Sequence, residues 1–223
     1  MTAFATLMAV AAVAAVSDWV AVGTSNTRLE YAAKPAVLTA LLTASAVIPA
    51  GQITLDDRRW WFVAALGCCL AGDVLLMLPG DLFVPGLAAF LAGHVLYIGG
   101  FLQPPALQGE PAFTFSPAGL IMAAGLVVAV EAVPAVLVIR SLLRHGRREL
   151  LAPVLVYVAA IITMVVIGTN VGSDLATCGA ILFLVSDTVL ALERFVTPIP
   201  RGPLAVHMTY HLGQGLLVLS LLR

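Results

Sequence analysis

The chain has 223 residues, 61% of them hydrophobic and 10% charged, with a mean hydropathy of +1.05 and a formal net charge of −1. Soluble domains carry about 25% charged residues, so this chain lacks the polar surface that water demands, and only lipid covers so much apolar area. No basic stripe is present to follow a phosphate backbone, which excludes nucleic acid as a partner.

A hydrocarbon core of roughly 30 Å, crossed at 1.5 Å per residue, needs about 20 mostly apolar residues. In chain order the pattern predicts eight spans, over residues 3–22, 34–50, 59–78, 82–101, 117–140, 150–168, 174–193 and 203–222. The first has no Lys or Arg ahead of it, which argues for a retained span over a cleaved signal peptide. The second and sixth are short, as tilted or partly interfacial spans would be. Between the spans stand polar or helix-breaking groups such as Thr24-Ser25-Asn26, Pro79-Gly80-Asp81, Pro104-Pro105 and Pro198 to Pro203. No segment is long or polar enough for a soluble domain. The expected fold is therefore all-α, a polytopic membrane protein forming one integral domain over 1–223.

Lys and Arg favour the cytoplasmic side. Loops after spans one, three, five and seven hold Arg28, Lys34, Arg140, Arg144, Arg147, Arg148, Arg194 and Arg201, against Arg58, Arg59 and Arg223 on the other side. The odd loops are expected in the cytoplasm and both termini outside, in a bacterial inner membrane. Cys68, Cys69 and Cys178 are odd in number, without CxxC or zinc spacing, and read as small buried hydrophobes. No metal or cofactor is implied.

Residues 71–78, Ala-Gly-Asp-Val-Leu-Leu-Met-Leu, echo residues 185–192, Val-Ser-Asp-Thr-Val-Leu-Ala-Leu. Each places one aspartate about two-thirds along an apolar span, and the next span carries histidine, His94 or His207 and His211. This pattern fits two four-helix repeats. With four spans each they would share one orientation, related by an axis along the membrane normal.

A charge at the bilayer centre costs about 2.5–3.5 kcal/mol on insertion scales, so such residues face a bundle interior or a wet cavity. The candidates are Asp73, His94, Glu131, Asp187, His207 and His211, joined by Tyr97, Asn170, Tyr210 and Gln214. Asp73 and Asp187 fall at matched depth and are expected to face one cavity. Lys34 opens span two above them. The plainer readings are that Asp18 and Trp19 form an interfacial anchor, that His207 is solvated near an interface, and that Glu131 serves backbone groups at the Pro134 kink.

At these residues the sequence resembles the YhhN-like lysoplasmalogenase family of membrane proteins. The matching segments are Lys34-Pro35, Gly72-Asp73, Phe90, Gly93-His94, Tyr97, Phe101, Gly179 through Asp187, Arg194-Phe195, Met208-Thr209-Tyr210 and Gln214. The resemblance implies about eight spans and a hydrolase that cleaves the vinyl ether bond of lysoplasmalogens to a fatty aldehyde and a glycerophospho-headgroup. It implies Asp73 and Asp187 as the catalytic pair, with Lys34, His94, Tyr97, Tyr210 and Gln214 binding a lysophospholipid.

The residues fit such chemistry in their own right. Vinyl ether hydrolysis begins with a proton delivered to carbon, and water then captures an oxocarbenium-like ion. It asks for one protonated carboxyl and one carboxylate, a division of labour known from glycosidases. A lipid would enter sideways, its phosphate near Lys34 and Arg194 or Arg201. A proton-coupled transporter also uses intramembrane Asp and His. An intramembrane aspartyl protease would want glycine where Leu70 stands. A metal-dependent hydrolase has only His207 and His211 at i, i+4.

Overall fold

The computed structural model describes residues 2–49, 56–103 and 117–222. They form eight α-helices: α1 (Thr2–Gly23), α2 (Thr27–Ala46), α3 (Asp56–Met77), α4 (Phe83–Phe101), α5 (Pro117–Arg144), α6 (Leu151–Gly168), α7 (Asp174–Phe195) and α8 (Gly202–Leu219). A short 3-10 turn at Arg148–Leu150 precedes α6. Pro104-Pro105 and Arg223 lie outside the described residues.

Local chemistry sets the ends. Ser173 caps α7 by accepting from the Ala176 N–H, with Asp174 in the first turn, where the exposed N–H groups favour an acid. Gly146 and Gly172 turn the chain at φ +71°, a conformation that costs glycine little. The second helix starts seven residues before the expected position. Asn26 accepts from the Leu29 N–H and nucleates the helix there, so Pro35 lies inside it. Lys34 is consequently about two turns deep and only 8% exposed.

Among the described residues, five helices are long and apolar enough to cross a membrane: Thr2–Gly23, Arg58–Met77, Phe83–Phe101, Asp174–Phe195, and Arg148–Gly168, which takes in the 3-10 turn. The protein is an all-α, multi-pass integral membrane protein. Helices α2 and α8 are more polar because Lys34, Tyr210, His211 and Gln214 face the bundle interior, where all four are buried. Two of the three arginines that oppose the charge bias also have a structural use. Arg58 Nε donates to the Gly100 carbonyl at 3.1 Å and Arg59 to the Ile48 carbonyl at 2.8 Å. Both carbonyls lie at helix C-termini, where cations are favourable.

The closest helix pairs are α1–α2, α3–α4 and α7–α8; α2 packs on α3, α4 on α6, and α1 on α8. Small residues permit the closest approaches. A Cβ on Gly179 would lie 3.0 Å from the Gly213 carbonyl, and one on Gly213 3.0 Å from that of Gly179. In the α3–α4 pair, a Cβ on Gly93 would meet Cys69 Sγ at 2.7 Å. Cys69 is thus a buried hydrophobe as expected, whereas Cys68 is half-buried and Cys178 is exposed on the apolar outer surface.

Candidate active site

Asp73 on α3 and Asp187 on α7 line one cavity of about 320 Å³, together with Lys34, Phe90, His207 and Tyr210. From there the cavity extends past Tyr31, Glu30, Met77 and Glu193 to Thr27 and Pro203, at the end of the bundle that carries the odd loops.

The two carboxylates have different partners. Lys34 Nζ stands 3.3 Å from Asp73 Oδ1, and Tyr210 donates its hydroxyl to Asp73 Oδ2 at 3.0 Å. Tyr157 on α6 donates to Asp187 Oδ2 at 2.6 Å, and His94 Nε2 lies 3.5 Å from the same oxygen. Asp73 is 1% exposed, while Asp187 keeps 12% open to the cavity. A buried carboxylate needs a compensating charge. Asp73 has a cation within reach; Asp187 has a phenol and an imidazole.

The contacts also cross the chain. Asp73 takes a partner from α2, just before it, and another from α8. Asp187 takes one from α6, just before it, and another from α4.

A second, narrower cavity of about 70 Å³ shares Leu76, Phe90, Asp187 and Leu190 with the first. It runs between α4, α5, α6 and α7, and its walls are apolar apart from Asp187, Tyr157 and the Glu131–Thr188 pair. Asp187 therefore stands where a polar and an apolar compartment meet.

Several expected placements change. Tyr97 and Gln214 line neither cavity; both are fully buried and bonded to each other, Tyr97 donating to Gln214 Oε1 at 2.5 Å. Their bond ties α4 to α8. His94 also stays behind the cavity wall, against Asp187, Tyr157 and Phe183. Glu131 accepts the Thr188 hydroxyl and does not serve the backbone at Pro134.

Asp18 is no interfacial anchor and His207 is not solvated. Asp18 is fully buried, with Oδ2 2.6 Å from His207 Nδ1, while Trp19 donates from Nε1 to His211 Nδ1 at 3.2 Å. The four residues fasten α1 to α8. Hydrogen bonds to charged groups contribute about 1.5–3 kcal/mol. Asp18→Ala is expected to destabilise the protein by that amount, read from its unfolding midpoint in detergent, with Asp18→Asn intermediate.

Tyr157 is the site residue that the sequence reading missed. It is a lone tyrosine in the most uniformly apolar span, and its partner lies 30 residues away.

A helical bundle that buries two acids on one cavity defines this chain as an integral membrane protein with a carboxylate pair at its core. The chain belongs to the YhhN family, which matches residues 29–221. It is similar to the lysoplasmalogenase TMEM86B of Homo sapiens, 35% identical over 159 residues, covering 71% of this chain and 62% of the relative. The Rattus norvegicus lysoplasmalogenase TMEM86B is 33% identical over 187 residues, covering 84% of this chain and 70% of the relative. A lysoplasmalogenase of Mycobacterium tuberculosis (strain CDC 1551 / Oshkosh) is 32% identical over 177 residues, covering 78% and 62%. The match therefore spans less than two thirds of the human and mycobacterial relatives' length. No solved structure matches the chain.

Proposed function

We propose that this protein hydrolyses the vinyl ether bond of lysoplasmalogen-type lysophospholipids to a fatty aldehyde and a glycerophospho-headgroup, with Asp73 and Asp187 as its acid–base pair. The observation that carries this reading is that two aspartates on one cavity have unlike surroundings, a cation at Asp73 and a phenol with an imidazole at Asp187. Pairs of carboxyls in unlike environments divide into acid and base.

In this reading Asp187 is the acid and delivers its proton to the vinyl carbon remote from oxygen. The carbon bound to oxygen becomes an oxocarbenium ion. Asp73, held as carboxylate by Lys34, takes a proton from the water that attacks that carbon, giving a hemiacetal. Asp73 then returns the proton to the glycerol oxygen as the C–O bond breaks, while the hemiacetal hydroxyl gives its proton to Asp187. Water is consumed and both carboxyls are reset. Tyr157 and His94 position Asp187; Lys34 and Tyr210 position Asp73 and face the substrate.

All eight helices cross the cell membrane in this reading, with both termini outside and the polar cavity reaching the cytoplasmic end. The chain is a duplication of two four-helix halves. The crossed pairing supports this, because each half contributes one aspartate, one partner just before it, and one partner for the other half's aspartate.

The direct test is purified protein in detergent against a panel of vinyl ether, alkyl ether and ester lysophospholipids, with aldehyde and fatty acid both measured. Aldehyde from vinyl ether substrates alone is the expected result. Fatty acid from the esters, or no aldehyde from any vinyl ether lipid, overturns the assignment.

A further inference from the structure

We infer that the apolar slot between α4 and α5 is the binding site for the hydrocarbon chain of the lysolipid. This inference rests on the lipid-hydrolase reading above.

The two halves, aligned so that Phe90 and Gly93 match Tyr210 and Gly213, differ in how their first helix is held. In the first half α1 is fastened to α8 by Asp18–His207 and Trp19–His211. The same alignment puts Leu87 on α4 at the position of His207. Glu131 on α5, fifty-six residues ahead of Asp187, takes the position of Asp18, fifty-five ahead of Asp73. The polar fastening is thus missing from the second half. Glu131 turns instead to Thr188 on its own side, and α5 packs on α6 and α7 without an extensive contact to α4 among the described residues. Where the first half is closed, the second leaves a seam.

Leu87 and Phe90 from α4, Ala135 and Val138 from α5, and Val158 from α6 line that seam. Leu155, also on its wall, is 51% exposed, so the slot reaches the lipid-facing surface. At its other limit stands Asp187, shared with the polar cavity. An amphiphile with a polar headgroup, one apolar chain and a reactive bond between them matches this sequence of compartments. With the headgroup in the polar cavity and the chain in the seam, the bond between them falls beside Asp187.

A bulky side chain in the slot shortens it. Each methylene denied an apolar site costs roughly fourfold in binding, so excluding three lowers kcat/KM roughly sixtyfold for long chains and leaves short ones near wild type. The experiment compares wild type, Ala135→Phe on α5 and Val158→Phe on α6, two independent walls. Aldehyde release is measured over vinyl ether lysolipids of graded chain length. In parallel, lysophosphatidylcholines of graded acyl length compete against a fluorescent lysophosphatidylcholine. A loss confined to long chains in either variant is the expected result. An equal loss at every length, or an unchanged length preference in both variants, overturns the slot. If wild type releases no aldehyde at any length, the hydrolase reading fails and competition alone judges the slot. Wild-type competition that does not depend on chain length overturns it, whatever the variants do.

Discussion

Asn at position 187 or at position 73 is expected to lower aldehyde release by at least about 10²-fold, since general acid–base catalysis contributes roughly 10²–10⁴-fold per group. The substitution keeps the shape of the side chain. Tyr157 still finds an acceptor at 187 and Tyr210 one at 73, so packing is kept in both variants, although Asp73→Asn also leaves the buried Lys34 ammonium without its counter-ion and lowers stability. What disappears is the ability to give or take a proton. Because the two groups act in sequence on one substrate, the double variant is expected to be scarcely slower than the worse single variant, as residues that work as a unit are strongly non-additive. The check is kcat for the three variants beside their unfolding midpoints. Substantial turnover by either single variant defeats the mechanism.

Lys34→Met is expected to produce the largest loss of stability. The ammonium is buried 3.3 Å from Asp73. Removing one member of a buried ion pair costs about 3–5 kcal/mol, because the remaining charge is left without compensation. Replacing both members is often neutral. Lys34→Met combined with Asp73→Asn is therefore expected to recover most of the stability while remaining inactive. Denaturant unfolding in micelles followed by far-UV circular dichroism measures both. A double variant as unstable as the single would show that the lysine serves packing alone.

The sequence made the two aspartates legible because a charge in an apolar run has few uses and the runs around them are alike. Their convergence on one cavity followed from matched depth. Lys34 was placed too shallow because the expected span began at position 34, whereas the Asn26 cap had already started α2 two turns earlier. Asp18 and His207 were misread for a different reason. Each lies near a helix end, where a polar residue is ordinarily solvated, and their bond joins positions 189 residues apart. No spacing rule reaches across that distance. Tyr97 and Gln214 show how little hydrogen-bonding capacity inside lipid says about place, for the two groups are bonded to each other across α4 and α8, behind the cavity wall.

The crossed partners of the aspartates bear on how such a site can arise. Two identical halves meeting as a symmetric dimer give both carboxyls the same neighbours, so neither is marked as donor or acceptor. Joined in one polypeptide, the halves are free to diverge. One then places a lysine beside its acid, and the other a tyrosine, with a histidine from across the interface. On the proposed duplication, fusion is what releases the pair from symmetry and gives the reaction a direction across the site.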